Sequence, residues 1–447
     1  MCYCDPTEDA PPAEKCPECG GKLVGSTDVF DTWMDSSGSA LYNTFWERDA
    51  ELHKKLFPMS MRPQSHDIIR TWAFYSILRS EQLKESRPWD DIMIHGFIMA
   101  PDGTPMHSSI GNVIDPIPIL KEYGADALRY YAATCSLGID HSFREKDVIR
   151  GRRLCNKIFN LGQFVSRFFD SKPEGAEALR LPDRWILGRY SDTVAKATAF
   201  FDEYQFDKAM KEIENFIWHE FADHYVEMVK SRKDDSVRYT LYTVFLGSLK
   251  LIAPFLPHVT EDVYQSCFAK HEGTVSLHLT SWSEPVLRDG EAEAAGDVLK
   301  DVIAAIRGWK SDKKMPLNAE IDTVEIIGGG AAALSEAESD IMETVKTRKI
   351  IIAEEADLTE EAVGVKPVYA KLGPAFKADA KEITAAVSRM DAKHVMEALR
   401  DGGLEVTTGN GIHTLGPEFF DIEKRLMLDG RAVDTIQVGD LLIAISL

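Results

Sequence analysis

Three successive stretches of helical periodicity constrain this 447-residue chain more than any other feature. Ile186, Tyr190, Val194, Ala197, Phe201 and Tyr204 recur at three- to four-residue spacing, as do Met210, Ile213, Ile217, Phe221, Tyr225 and Met228. Val237, Leu241, Phe245, Leu249 and Ile252 form a third run, and Pro254 and Pro257 stop it. Proline ends a helix because it lacks the amide donor and clashes with the preceding turn. An apolar stripe at this period needs other helices to cover it, so the three runs predict a bundle with these aromatics in its core. At roughly 100–200 residues per domain, the chain has room for about three domains.

The flanking sequence has a different texture. Residues 28–143 mix short apolar runs with turns and helical stretches. Residues 91–99 predict a buried strand followed by a turn at Pro101-Asp102-Gly103, and residues 123–134 predict a helix with Ala127, Tyr130 and Tyr131 on one side. This is an α/β pattern, too brief for a complete doubly wound sheet. The acidic, polar stretch 283–300 predicts a linker, and the Gly/Ala stretch 328–333 a second loosened segment. Beyond it, 324–327, 350–352 and 440–447 predict strands, Ile383, Val387 and Met390 mark a helix, and Gly402-Gly403 would end the next one. A small α+β appendage is expected there.

Lys and Arg number 51 against 72 Asp and Glu, a formal charge of −21. That excludes a uniformly basic nucleic-acid binder; any such contact must be a local patch on an acidic body. No apolar run reaches 18 residues, so no membrane span is expected. The N-terminus lacks a basic stretch followed by an apolar one, so no signal peptide is expected. Seven scattered cysteines are not a disulfide framework and point to a reducing, cytoplasmic setting. Cys16-Pro17-Glu18-Cys19-Gly20-Gly21 has the spacing of half a zinc knuckle. Two thiolates at that spacing can grip one tetrahedral ion, but a structural zinc needs four ligands. Cys2 and Cys4 are the only nearby candidates, and their one-residue spacing suits zinc poorly. The motif is therefore a zinc site completed within the chain, a vestigial half-site, or a site completed from elsewhere.

Four segments stand out in order: Asp28-Val29-Phe30-Asp31-Thr32-Trp33-Met34-Asp35-Ser36-Ser37, then Arg62-Pro63-Gln64-Ser65-His66-Asp67-Ile68-Ile69-Arg70-Thr71-Trp72, then His95-Gly96-Phe97, then residues 102–112. Leu181-Pro182-Asp183-Arg184-Trp185, Phe216-Ile217-Trp218-His219-Glu220-Phe221 and Ala253-Pro254-Phe255-Leu256-Pro257-His258 follow. Together they resemble the second half of a class I aminoacyl-tRNA synthetase, of the archaeal valyl kind. Leu372-Gly373-Pro374-Ala375-Phe376 resembles that family's C-terminal appendage. The resemblance implies an α/β partial class I (Rossmann-like) catalytic half, an all-α anticodon-binding helix bundle and a small α+β C-terminal domain. The implied divisions are a knuckle segment over 1–27, catalytic sequence over 28–143, stem-contact helices over 144–182, the anticodon-binding domain over 183–300 and the appendage over 301–447.

The family activates valine with ATP and esterifies tRNA. The resemblance implies that the chain begins inside the family's zinc region, without its His-x-Gly-His element or its editing insertion. Of the second ATP signature, Lys-Met-Ser-Lys-Ser, the matching positions are Pro105, Met106, His107, Ser108 and Ser109, with both lysines replaced. A serine supplies no charge, proline stiffens the loop, and His107 is only partly cationic near neutral pH. Losing a charged phosphate clamp costs on the order of 10²–10³ in rate per contact. By the same resemblance Asp31 and Trp33 line the amino-acid side, Ser65, His66 and Asp67 face the adenosine, and Gly111 and Asn112 end the loop. Ser65 stands where glycine is usual, and its side chain crowds that approach. On residues alone, His66-Asp67 also reads as an ordinary helix start.

Residues 144–167 hold Arg144, Lys146, Arg150, Arg152, Arg153, Lys157 and Arg167 against only Glu145 and Asp147. Such a cluster suits phosphate contacts, and the resemblance places it where the family meets the inner corner of tRNA. Arg307, Lys310, Lys313 and Lys314 form a second cluster. The alternative is a solvated basic helix face. Three functional expectations follow: a tRNA-binding relative, with valine tRNA the expected partner, that cannot activate valine; one subunit of a split valine–tRNA ligase completed in trans by an N-terminal chain; or a decayed product with no function of its own.

Overall fold

The computed structural model describes residues 13–23, 29, 31–176 and 178–447. The chain divides into two compact units, Met1–Ile119 with Cys135–Lys146, and Leu120–Thr134 with Asp147–Leu447.

In the first unit, β1 (Met59–Ser65) and β2 (Trp89–His95) pair in parallel, with Ser65 opposite His95 at their ends. A parallel pair needs a crossover. Here it is one helical run through His66–Ile68, the π-turn Ile69–Ala73 and Phe74–Lys84. The strand expected over 91–99 is broken at Gly96, where β3 (Ile98–Met99) leaves to pair with β4 (His141–Ser142). It is also not buried: Asp91 and Ile92 are exposed. A two-stranded sheet lacks the flanking strands and helices that cover both faces of a full parallel sheet. Helix Phe74–Lys84 shows the same thing, burying Ser76 and Ser80 while Phe74, Tyr75, Ile77 and Leu78 are exposed.

The second unit contains the expected bundle. Helices Leu181–Asp202 and Asp235–Ile252 flank a continuous helical run from Phe206 to Val229, whose middle turns, Phe216–Tyr225, widen to a π-helix. Trp185, Phe216, Phe221, Tyr225 and Phe245 are fully buried, and the Phe221 ring stacks on both Tyr225 and Phe245 at 5.9 Å. Helix Ala125–Ala133 buries Ala127, Tyr130 and Tyr131. Helix Glu145–Val165 approaches it through Gly151, where a Cβ would meet the Tyr130 ring at 2.8 Å.

The expected linker over 283–300 is largely helix instead. Residues Gly290–Asp312 form a 23-residue helix, capped by Asp289, whose carboxylate accepts the Ala292 amide at 3.0 Å. Alanine and glutamate are good helix formers, so an acidic alanine-rich stretch is helical when an apolar stripe anchors it. Leu299, Val302, Ile303 and Ile306 supply that stripe. A boundary at residue 300 therefore cuts a helix. The appendage is a six-stranded mixed sheet. Its strands are β5 (Ile321–Ile327), β6 (Thr347–Ala353), β7 (Leu358–Pro367), β10 (Phe420–Leu428), β11 (Arg431–Val438) and β12 (Leu441–Ser446), in the order β6-β5-β12-β11-β10-β7. Three helices and the hairpin of β8 (Leu404–Thr408) and β9 (Gly411–Leu415) sit between β7 and β10. The last helix, Ala392–Arg400, is followed by Gly402 and Gly403 at φ +117° and +135°. No helix among the described residues is long and apolar enough to cross a membrane.

Candidate functional site

Of the residues singled out in the first unit, Ser65, His66 and His95-Gly96-Phe97 meet where β1 and β2 end. Ser65 closes β1 and His66 opens the helical run. His66 Nε2 lies 3.0 Å from Asp140 Oδ1, an oxygen that also accepts the Phe97 amide at 2.8 Å. The Phe97 amide and then His66 hold the Asp140 carboxyl below its usual range. The His66 ring meets Phe97 edge-on at 4.9 Å. Gly96 makes this possible, since a Cβ there would lie 2.2 Å from the Ile139 carbonyl oxygen. So His95-Gly96-Phe97 and Asp140 form one construction. Asp140 was not foreseen, because 74 residues separate it from His66 in the sequence. The Ser65 hydroxyl is buried without a partner among the described residues, and Asp67 is exposed. Arg62 was also missed. It is buried, its guanidinium 3.3 Å from the Trp72 ring centroid, and burial lowers its pKa to about 10.

The loop after β3 is closed by its own polar groups. Ala100 donates to the Thr104 carbonyl at 2.8 Å, and Asp102 accepts from the Thr104 hydroxyl and amide at 2.7 and 3.0 Å, which lowers its pKa. Asn112 spans the loop: Oδ1 accepts the His107 amide at 2.8 Å, and Nδ2 donates to the Pro105 carbonyl at 2.9 Å and the Thr104 hydroxyl at 3.1 Å. Gly111 sits at φ +75°, a conformation glycine adopts without steric cost. Within this frame Met106 is half-buried, while Pro105, His107, Ser108 and Ser109 are exposed. From 101 to 112 only His107 can carry positive charge. The loop thus has a defined shape but no fixed cation for a triphosphate, and the residues present do not fit that role.

Asp31 is committed locally, its carboxylate capping helix Thr32–Ser36 by accepting the Trp33 amide at 2.9 Å; Trp33 is half-buried. The knuckle turn forms, with Cys16 donating to the Gly21 carbonyl at 2.8 Å and Gly20 to the Cys16 carbonyl at 2.9 Å. Cys2 and Cys4 lie outside the described residues, and no group of three or more His, Cys, Asp or Glu suited to a metal is found among the described ones. Two thiolates make half a zinc site, so no chemistry is assigned to zinc here.

The basic residues are largely spoken for. Arg150 pairs with Glu214 at 2.8 Å, a carboxylate that also takes the Tyr130 hydroxyl at 2.8 Å. Arg152 donates to the Glu122 carbonyl, Lys157 pairs with Asp223 at 2.6 Å, and Arg307 pairs with Glu227 at 3.0 Å. Lys310 corrects the expectation of a phosphate contact. Its side chain is fully buried, and its ammonium donates to the carbonyls of Leu317, Ala319 and Val345 at 3.2, 2.5 and 2.6 Å. Burial lowers its pKa. A lysine on an amphipathic helix looks like a surface charge in sequence; only the fold shows the carbonyls waiting for it. Arg144, Lys146 and Arg153 are exposed and make no ion pair among the described residues. Arg153, Asn156, Lys157 and Asn160, on one face of helix Glu145–Val165, line an open groove of about 740 Å³ with Trp218 and Arg307. The Lys157 ammonium lies 4.8 Å from the Trp218 ring centroid.

Several signature residues hold the bundle together. Glu220 receives a two-pronged contact from Arg189 at 2.7 and 2.9 Å. Asp126 accepts the His258 and Val259 amides at 3.3 and 2.7 Å, which fixes the start of helix Pro257–Cys267.

Residues 10–144 match the family model described as tRNA synthetases class I (I, L, M and V), and residues 183–326 match that of the anticodon-binding domain of tRNA ligase. The chain is 35% identical over 457 residues to a valine–tRNA ligase of Pyrococcus furiosus, covering 98% of this chain and 51% of that one. It is 41% identical over 417 residues to that of Methanothermobacter thermautotrophicus, covering 90% and 46%. The chain thus spans about half the length of the curated relatives it matches. A solved LeuRS–tRNA–LeuAMS complex from Agrobacterium radiobacter K84 aligns over 61% of this chain and 35% of its own, with 21% identity and a TM-score of 0.49.

Proposed function

This chain is a partial relative of the valyl-tRNA synthetases, and from that premise we propose that it holds a tRNA and does not activate valine. The observation that carries the second half of this reading is the loop around Pro105–Ser109, which Asn112 ties into a defined shape without one ammonium or guanidinium. Phosphoryl chemistry depends on positive charge fixed where negative charge develops. That argument applies to the loop itself, whatever polypeptide accompanies it.

The first half rests on the match of 183–326 to an anticodon-binding domain and on the groove beside it. Arg153 supplies an unpaired cation there, Asn156 and Asn160 supply hydrogen-bond donors and acceptors, and Trp218 an aromatic face. These are the groups that RNA recognition uses for phosphates, base edges and base stacking. In the first unit, Arg144 and Lys146 are further exposed cations. In ATP–pyrophosphate exchange with valine, the chain should give no turnover above background; robust exchange overturns the reading. Filter binding to valine tRNA should weaken as salt rises; no binding, or binding without a salt slope, removes the tRNA half.

The exposed apolar side chains of helix Phe74–Lys84 favour a second reading, a ligase subunit completed by another chain. It predicts a stable complex with a polypeptide carrying the relatives' remaining half, formed in co-expression and restoring exchange. A complex that forms but stays inactive would leave the loop argument standing.

A further inference from the structure

Where the bundle meets the appendage, charges are buried in an unbalanced set. Asp183 is fully buried, and Asp340, on helix Glu338–Val345 of the appendage, is nearly so. Arg232 serves them both and Asp234 as well. Its Nη2 lies 2.6 Å from Asp183 Oδ2 and 2.9 Å from Asp234 Oδ1, and its Nε 3.0 Å from Asp234 Oδ2. Asp340 receives only long contacts, 3.4 Å from Arg232 Nη1 and 3.7 Å from Arg180 Nη1. Tyr225 and Ser236 donate to Asp183, and the Val237 amide to Asp234. Asp340 Oδ2 is buried with no hydrogen-bond partner among the described residues. Three carboxylates thus face two guanidinium groups, and the worst-served carboxylate belongs to the appendage.

We propose that Asp340 is a proton-operated latch between the helical bundle and the C-terminal sheet domain, tight when the carboxyl is protonated and looser when it is ionised. Protonation removes the excess charge and turns the orphan oxygen's position into that of a neutral acid. The neighbouring charges are already committed. On the appendage side Glu343 takes the Ser231 hydroxyl and Glu336 pairs with Arg184, while Lys310, on the helix shared with the bundle, holds the Val345 carbonyl. Asp234 feels burial too, but Arg232 and the Val237 amide outweigh it and hold its pKa low. For Asp340 burial dominates, Arg232 and Arg180 offset it only in part, and Asp183 and Asp234 add to it, pushing its pKa to about 6.

The sign follows from proton linkage. A carboxyl that binds its proton more tightly in the closed seam than in the open chain favours closure at low pH, and that advantage fades as pH rises through about 6. With an open-state value of 3.8, the seam's opening constant should rise about tenfold from pH 5 to pH 8. The test is hydrogen exchange of the full chain, corrected for intrinsic rates, followed at 226–232 and 338–345 from pH 5 to 8. The wild type should lose protection across that range, and Asp340→Asn should remove the pH dependence and stay protected at pH 8. Arg180→Gln, which deepens the charge excess, should move the wild-type midpoint upward, and it serves as the independent arm should the asparagine variant fail to fold. A flat wild-type profile, an Asp340→Asn profile like the wild type's, or an unmoved midpoint in Arg180→Gln overturns the latch.

Discussion

The two units solve the same problem, burying an apolar surface, with opposite success. In the bundle, large aromatics are fully enclosed, and several polar residues drawn inside are paired, Arg189 with Glu220, Tyr130 with Glu214 and Lys310 with three carbonyls, although the buried Thr240 hydroxyl has no partner among the described residues. In the first unit the arrangement is nearly reversed. Helix Phe74–Lys84 turns serines inward and aromatics outward, and buried Arg62, Gln64 and Ser76 each have side-chain atoms with no hydrogen-bond partner among the described residues. The comparison teaches that matching a family's sequence and completing a family's core are separate properties. The bundle closes on its own residues, whereas the parallel pair β1–β2 is a sheet with two edges and little to cover its faces.

Substitutions can break or sharpen this contrast. The largest loss should come from Trp185→Ala. The indole is fully buried against Gly296 and donates to Asp297 at 3.1 Å, so chemical denaturation should show a loss of about 3–5 kcal/mol. Lys310→Met comes next, leaving carbonyls unsatisfied at a cost of about 1–3 kcal/mol, while the salt slope of tRNA binding stays unchanged. A reduced slope with intact stability would return Lys310 to the surface. Asn112→Ala removes hydrogen bonds at an exposed loop and should cost about 1 kcal/mol or less, visible as faster proteolysis between 104 and 112 and not in the melt of the bundle. The smallest effect belongs to Ile77→Ser, on the exposed side of its helix. It should change stability by no more than about 0.5 kcal/mol and improve solubility. A loss above 2 kcal/mol would mean that this side chain is covered and that the contrast is false.

What could be read from sequence follows from the range of each interaction. The bundle helices were legible because a 3.6-residue period is local, and the β12 strand because six apolar residues end the chain together. The helix over 290–312 was not: its first turns carry Glu291, Glu293 and Asp297, and the face they bury is made only of Ala292 and Gly296, with large apolar side chains starting at Leu299. The loop after β3 could be singled out by motif order, but the role of Asn112 as a brace required the loop's closure. Asp140 and the acids that neutralise Arg150, Lys157 and Arg307 lie 64 to 80 residues from their partners. Nothing in a local window signals such pairings. The basic stretch therefore read as a free patch when much of it is internal cross-bracing.

The helix Gly290–Asp312 packs its first half on Trp185 and its last half on the sheet, where Trp309 and Lys313 both reach Asp434, at 3.0 and 2.8 Å. It works as a shared rafter under two roofs. A gene rearrangement that breaks the chain inside it strips both neighbours at once. Hybrids joined near residue 300 should therefore be rare among living sequences, and those joined between Asp312 and Ile321 less so.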